Sequence, residues 1–179
     1  MRAYIDESYE AGPNGLYVLA AVLAPDDDTM LRNAMLELRQ PRTRLKLHFH
    51  GAEPERQARY LDTVGRMARY KLAIVVRPCK RPERARRMAM IRLLWELRDK
   101  ADALLIESRG SQNKDDVALL RATQKTHGTF RYEFPLGRDE PVLWAADILA
   151  SGIFHVHQRK QAWMLDRLGH VAQHHVEVD

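Results

Sequence analysis

The segment Val142-Leu143-Trp144-Ala145-Ala146-Asp147-Ile148-Leu149-Ala150-Ser151-Gly152-Ile153-Phe154 is apolar on nearly every side of a helical projection. A helix without a polar face must be enclosed by other elements, which constrains the whole fold. The small residues Ala145, Ala146, Ala150 and Gly152 let it lie close against a sheet. Yet Asp147 stands in its middle, with no Lys or Arg within one turn. A desolvated carboxylate is tolerated when it is paired, protonated or bound to a cation. A distant basic residue would make Asp147 half of a buried ion pair; we favour a metal-binding or catalytic role.

The rest of the chain supplies the sheet. Residues 2–8 read as a strand that carries Asp6 and Glu7, although acids are disfavoured in strands. Alternation puts Tyr4, Asp6 and Ser8 on one face and Ala3, Ile5 and Glu7 on the other, so only one of the two acids can face a given site. A turn-rich loop follows, then the continuous apolar run Leu16–Ala24. So short a connection implies an antiparallel hairpin. Pro25-Asp26-Asp27-Asp28 is expected to open a helix, its acids matching the positive end of the dipole and Met30, Leu31, Ala34, Met35 and Leu38 facing inward until Gln40-Pro41. Residues 44–50 alternate as a strand, with Leu45, Leu47 and Phe49 on one face and His48 and His50 on the other. Helices are expected at about 53–68 and 83–100, the latter with Met88, Ile91, Leu94 and Trp95 inward, and strands at 71–77, 103–107 and 130–134. A helix from 114 to 125 and the long helix from Pro141 complete the pattern; 163–173 reads as one more helix and 176–178 as a frayed end. The fold class is α/β in a single domain spanning 1–179, since no linker or composition shift divides the chain.

Composition excludes several classes. No apolar run approaches membrane-spanning length and the first residues are not a signal peptide, so no membrane association and a cytoplasmic location are expected. The lone Cys79 rules out an internal disulfide framework or a cysteine-based zinc ribbon. Formal charge is +5 and arginine far outnumbers lysine, a balance that suits a polyanion such as nucleic acid but also arises from genome composition. Clustering is more telling. Lys80, Arg81, Arg84, Arg86 and Arg87 crowd the start of one helix and form the best candidate for a phosphate-contacting surface; the competing reading is an ordinary solvated face, since no aromatic interleaves the arginines.

Glu107, ending the strand 103–107, is a third candidate acid, because sites in α/β sheets gather beyond strand ends. Three acids adjoining apolar elements, Asp6, Glu107 and Asp147, could converge from separate parts of the chain. Such oxygen donors suit Mg²⁺ or Mn²⁺. Two such ions about 4 Å apart can activate water and steady a leaving oxygen in phosphodiester cleavage. Among the histidines, His155 and His157 are two apart on a helix and cannot serve one ligand, whereas His170 and His174 could if their segment were helical. A solvated face is the expectation for that pair.

The ordered motifs Tyr4-Ile-Asp-Glu-Ser8, His48-Phe-His-Gly-Ala52, Leu104-Leu-Ile-Glu107 and Leu143-Trp-Ala-Ala-Asp-Ile-Leu-Ala-Ser-Gly152 resemble the bacterial domain-of-unknown-function 3800 family, over nearly the whole chain. The resemblance implies a ribonuclease H-like mixed β-sheet flanked by α-helices and a metal-dependent nuclease. It puts Asp6 at the first-strand metal position, Glu107 at the middle-strand acid and Asp147 at the last-helix position. His50 matches a histidine that the family often carries, with His48 where Glu is usual; Tyr9 stands where Gly is common, and Glu107 where Asp is.

These readings combine into one expectation: a Mg²⁺- or Mn²⁺-dependent nuclease with Asp6, Glu107 and Asp147 as ligands, His50 orienting or deprotonating water, and Glu7 and His48 as additional candidates. The rival is a non-catalytic ribonuclease H-like module that binds nucleic acid or a protein partner, and a third reading is a phosphohydrolase with a small substrate. DNA versus RNA, and the oligomeric state, stay open at this stage.

Overall fold

A computed structural model describes residues 1–39, 46, 47 and 49–178. The alternating N-terminal segment forms β1 (Arg2–Glu10), and the apolar run forms β2 (Leu16–Ala24), buried along its whole length. They pair as the expected antiparallel hairpin, from Arg2 opposite Ala24 to Glu10 opposite Leu16. Then follow α1 (Thr29–Leu38), α2 (Pro54–Met67), β3 (Tyr70–Arg77), α3 (Pro82–Leu97), β4 (Ala103–Ile106), α4 (Asn113–His127), β5 (Arg131–Glu133), α5 (Val142–Gln158), α6 (Trp163–Leu168) and β6 (Ala172–Glu177).

The six strands form one mixed sheet in the order β5-β4-β1-β2-β3-β6. β4 runs parallel to β1, β5 to β4 and β6 to β3, while β2 is antiparallel to both its neighbours. The carboxyl ends of β1, β3, β4, β5 and β6 therefore lie at one end of the sheet. Helices cover both faces. On one, α1, α2, α5 and α6 pack over Tyr4, Val18, Ala20, Val22 and Leu105; on the other, α3 and α4 pack over Ile5, Leu19, Ile74, Leu104 and Ile106. Burying each such Val, Leu or Ile contributes about 1.5–3 kcal/mol, which is why the central strands carry almost no polar residue except at the site. The apolar segment from Val142 becomes α5, laid against β1 and β2 with Val142 to Ala146 and Ile148 to Phe154 all buried. Gly152 permits the close approach of α2 and α6 to the other side of α5, since a Cβ there would come within 2.8 Å of Leu61 Cδ2 and 3.1 Å of Leu168 Cδ1. No helix among the described residues is long and apolar enough to cross a membrane.

Several expectations are corrected. Asp26, Asp27 and Asp28 precede α1 instead of opening it: Asp28 accepts the Tyr4 hydroxyl and faces Arg32 at 3.4 Å, and Met30 is 76% exposed. The expected strand at 44–50 falls partly outside the described residues, as does the stop at Gln40-Pro41; Lys46, Leu47, Phe49 and His50 are not in a strand, although Leu47 and Phe49 are buried as a pair. The frayed C-terminus is instead β6, because the open edge of β3 supplies the hydrogen bonds that its polar sequence alone would not specify. The inward stripe of α3 runs through Ala85, Ala89, Met90, Leu93, Leu94 and Leu97, leaving Met88 and Trp95 exposed.

Candidate carboxylate site

β1 and β4 place the first two acids side by side. Ile5 pairs with Ile106 in the parallel ladder, and the next rung is closed by the Glu107 amide donating to the Ile5 carbonyl at 3.0 Å. Asp6 and Glu107 thus leave adjacent strands on one face, the face shared by Tyr4 and Leu105 and covered by α5. Glu7 points the opposite way, where its carboxylate meets Arg86 at 2.8 Å. Asp147 approaches from α5, close enough for its charge to act on both Asp6 and Lys46. Unlike its apolar helix neighbours, Asp147 is only partly buried.

Between the acids stands an ammonium group. Lys46 Nζ donates to Asp6 Oδ2 at 3.0 Å and to Glu107 Oε2, while Asp6 Oδ1 accepts the Glu7 amide at 2.8 Å. Burial holds the Asp6 carboxyl well above the ordinary carboxylate range, aided by a hydrogen bond with Glu107 and by the charge of Asp147; Lys46 opposes this. Burial works against the Lys46 charge, but Asp6, Asp147 and Glu107 outweigh it and keep the ammonium protonated well above its usual range. Gly137 closes the site from the side: a Cβ there would strike the Glu107 carboxylate and lie 2.8 Å from Lys46 Cδ. The backbone at Gly137 is held by Trp144, whose indole N–H donates to the Gly137 carbonyl at 2.6 Å.

Among the described residues, no three His, Cys, Asp or Glu side chains are arranged to close on a metal ion. The donor chemistry nevertheless fits one. Oxygens of Asp6 and Glu107 share the Lys46 ammonium, and Asp147 is near enough for its charge to act on that same group, so hard oxygen donors surround a position where the protein keeps a positive charge.

With this geometry in hand, two solved structures are informative. The chain superposes on the RNase HII of Archaeoglobus fulgidus, solved in complex with PCNA, with a TM-score of 0.59 at 18% identity, covering 95% of this chain and 78% of that one. It superposes on the ribonuclease H2 of Pyrococcus horikoshii OT3 with a TM-score of 0.64 at 16% identity, covering 93% of this chain and 75% of that one. The fold is ribonuclease H-like. No family model matches the sequence, and no curated protein matches it.

Within this ribonuclease H-like fold, a row of polar side chains continues from the acids along the seam between β1 and α5. Ser8, two residues beyond Asp6, and Ser151, one turn beyond Asp147, are both buried, and their hydroxyls lie 3.2 and 3.5 Å from His50 Nε2. His155, a further turn along α5, meets His50 Nδ1 at 3.3 Å. At the rim, Arg159 pairs with Glu10 at 3.1 Å. Burial, together with the nearby His155 and Arg159, lowers the His50 pKa below 6.5 and favours its neutral form. His48 lies outside the described residues.

Sequence reading missed Lys46, Ser8, Ser151 and His155. A signal existed for each. Lys46 shares the polar face of the alternating 44–50 segment with His50, and Asp147, Ser151 and His155 follow at the four-residue spacing of one helical face. His155 and His157 do diverge as the spacing requires, His157 turning to Gln173 at 2.8 Å. His170 and His174 are not on a helix; His174 lies on β6 against Arg92 and Glu96.

The basic cluster divides in two. Lys80, Arg81, Arg84 and Arg87 are exposed, and the first three line a recess of about 190 Å³ with Pro78 and Val178, at the carboxyl end of β3 and β6. Arg86 is corrected: only 2% exposed, it faces the sheet instead of solvent. Its guanidinium binds Asp116 through Nε at 3.0 Å and Nη2 at 2.7 Å, and also reaches Tyr17 and Glu7. Arg109 meets Glu83 at 3.0 Å and Asp116 at 3.5 Å.

Proposed function

We propose that this chain is a divalent-metal-dependent nuclease of the domain-of-unknown-function 3800 family, acting as one domain on nucleic acid. The observation that supports the reading is that Asp6 and Glu107 share one ammonium, with the charge of Asp147 acting on it from α5, at the carboxyl end of a ribonuclease H-like sheet. Asp6, Glu107 and Asp147 would hold Mg²⁺ or Mn²⁺. A bound ion of this kind supplies charge stabilisation for a phosphodiester and lowers the pKa of water. Of the chain's own groups, Asp6 and Glu107 fix the donor spacing through the strand ladder, Asp147 closes the site from α5, and neutral His50 accepts a proton in the row beside them. Lys80, Arg81, Arg84 and Arg87 guide the phosphate backbone across the same end of the sheet. That the two superposing proteins are named as ribonucleases supports nucleic acid as the substrate class.

The test is incubation of purified protein with labelled single-stranded, duplex and hybrid substrates, with Mg²⁺, Mn²⁺ or chelator. Metal-dependent cleavage is expected, and cleavage that persists in chelator or in Asp147→Asn would defeat the mechanism. One observation favours a second reading. Lys46 already offsets part of the acidic charge from within the chain, which suits a non-catalytic module that binds nucleic acid or a protein partner without an ion. Under that reading Asp6→Asn and Asp147→Asn leave Mn²⁺ binding unchanged.

A further inference from the structure

The histidine row beside the carboxylates has a direction that can be read atom by atom. Gln161, in the turn after α5, has its amide oxygen 2.9 Å from His155 Nδ1; His155 Nε2 lies 3.3 Å from His50 Nδ1; and His50 Nε2 faces the Ser8 and Ser151 hydroxyls at 3.2 and 3.5 Å. With the Gln161 amide in this orientation its oxygen accepts, and His155 then carries its hydrogen on Nδ1. A neutral imidazole has one N–H, so His155 Nε2 is an acceptor and can be satisfied only if His50 carries its hydrogen on Nδ1. The lone pair of His50 is then at Nε2, on the side of Ser8 and Ser151. Those two residues are the next same-face positions after Asp6 on β1 and Asp147 on α5, so the lone pair faces the end of the row where the acids lie.

The backbone holds this line in place. Ser151 and His155 project from consecutive turns of α5, and the Gln161 amide N–H donates to the His155 carbonyl at 3.2 Å, folding the turn back under the imidazole. Edges of Phe49 and Phe154 flank the His50 ring at centroid distances of 6.3 Å, restricting its rotation. The charged and titratable groups that face His50 are His155 from α5 and Arg159 from the residue that ends it, and Arg159 is itself paired with Glu10.

We propose that His155 and Gln161 are positioning residues that hold His50 in the Nδ1–H tautomer, with Nε2 presented to the Ser8–Ser151 end of the row as a proton acceptor. The inference rests on the nuclease reading for its catalytic consequence, but the tautomer itself does not. His50 would accept the proton through the Ser8 hydroxyl, which passes its own hydrogen to Nε2 while receiving one from the site. His155 and Gln161 touch no reacting atom in this scheme.

The experiment is nitrogen-15 NMR of the histidine rings in the full-length protein without metal, followed by the pH profile of cleavage with Mn²⁺. The wild type is expected to show His50 and His155 as Nδ1–H tautomers. Gln161→Leu removes the terminal acceptor and should shift His50 towards Nε2–H, lower cleavage by roughly 10²-fold, the scale of a lost general base, and leave Mn²⁺ affinity unchanged. Gln161→Glu keeps an acceptor at the same place and should restore both tautomer and rate. An Nε2–H tautomer for His50 in the wild type would overturn the proposal, as would a Gln161→Leu protein whose tautomer and pH profile match the wild type. Should the tautomers appear as stated while no substrate is cleaved, the nuclease reading fails and the hydrogen-bonded line stands.

Discussion

Replacing Lys46 by Met removes the ammonium while keeping most of its stem, and the consequences depend on pH and on divalent ions. The ammonium sits 3.0 Å from Asp6 and in contact with Glu107, with the three side chains 17, 8 and 20% exposed. Removing one partner of a buried ion pair costs about 3–5 kcal/mol. One carboxyl can escape by taking up a proton, which at pH 7 costs at most about 4 kcal/mol, at roughly 1.4 kcal/mol for each pH unit above an ordinary carboxyl value. Partial exposure lowers the first figure and protonation caps the loss at the second, so Lys46→Met is expected to lose about 2–4 kcal/mol at pH 7. The sign follows from linkage. Asp6 has a folded-state pKa above its ordinary 3.8, so the folded state binds more protons than the unfolded one, and metal-free stability falls as pH rises from that value through the folded-state pKa. Lys46, raised above 10.5, stays charged throughout this range, so the pH dependence comes from the carboxylates it faces: its loss steepens the fall, and the deficit should shrink towards pH 4 as they take up protons. Mn²⁺ no longer has an ammonium to displace, so its affinity should rise tenfold or more, about 1.4 kcal/mol. Urea unfolding between pH 4 and 7.5, with and without MnCl₂, and calorimetric titration of the ion measure both quantities. A deficit independent of pH, or weaker Mn²⁺ binding in Lys46→Met, would refute the idea that the ammonium stands where a divalent ion binds.

Three other perturbations probe separate parts of the molecule. Arg86→Met leaves Glu7 without its cation and Asp116 with only the longer contact to Arg109, and should destabilise the fold by about 3–5 kcal/mol in urea unfolding, with partial recovery when Asp116→Leu is added; an Arg86→Met protein as stable as wild type would remove the buried network from the account. Alanine at both Arg81 and Arg84 should weaken nucleic-acid binding and reduce the salt slope of log K by about 1.4–1.8, two phosphate contacts' worth, whereas an unchanged slope would place the nucleic acid elsewhere. Gly137→Ala pushes against the Glu107 carboxylate and Lys46; thermal unfolding should show a loss of about 1–3 kcal/mol together with weaker Mn²⁺ binding, and neither change is expected if the loop can move aside.

Much of the fold was legible in local pattern. The run Leu16–Ala24 can only be a strand buried on both faces, and alternation correctly sends Asp6 to one side of the sheet and Glu7 to the other. What local pattern could not disclose is which strands are neighbours. Glu107 lies beside Asp6 because β4 joins β1 in parallel across about a hundred residues, a pairing set by the cores on both faces and not by either strand alone. β6 was hidden for the same reason, since Ala172-Gln-His-His-Val-Glu177 has too few apolar residues to mark a strand until β3 offers its edge. α3 misled for a different cause: Met88, Ile91 and Trp95 describe one plausible apolar stripe, Ala85, Ala89 and Leu93 another, and the deciding element was the charged Arg86, whose partners Glu7 and Asp116 come from distant segments. Asp147 was recognisable as an acid out of place, but the cation that answers it, Lys46, is about a hundred residues away in sequence.

The rung that joins Glu107 to Ile5 has a consequence for selectivity. Two of the three oxygen donors are carried on neighbouring strands, whose separation of about 4.8 Å is fixed by the backbone ladder and cannot be tuned by side-chain substitution. The third donor rides on a helix, and the present occupant hangs from a flexible four-carbon stem. A cation held there would sit in a caliper with one rigid jaw, and its size preference would be set through α5 or through residue 46.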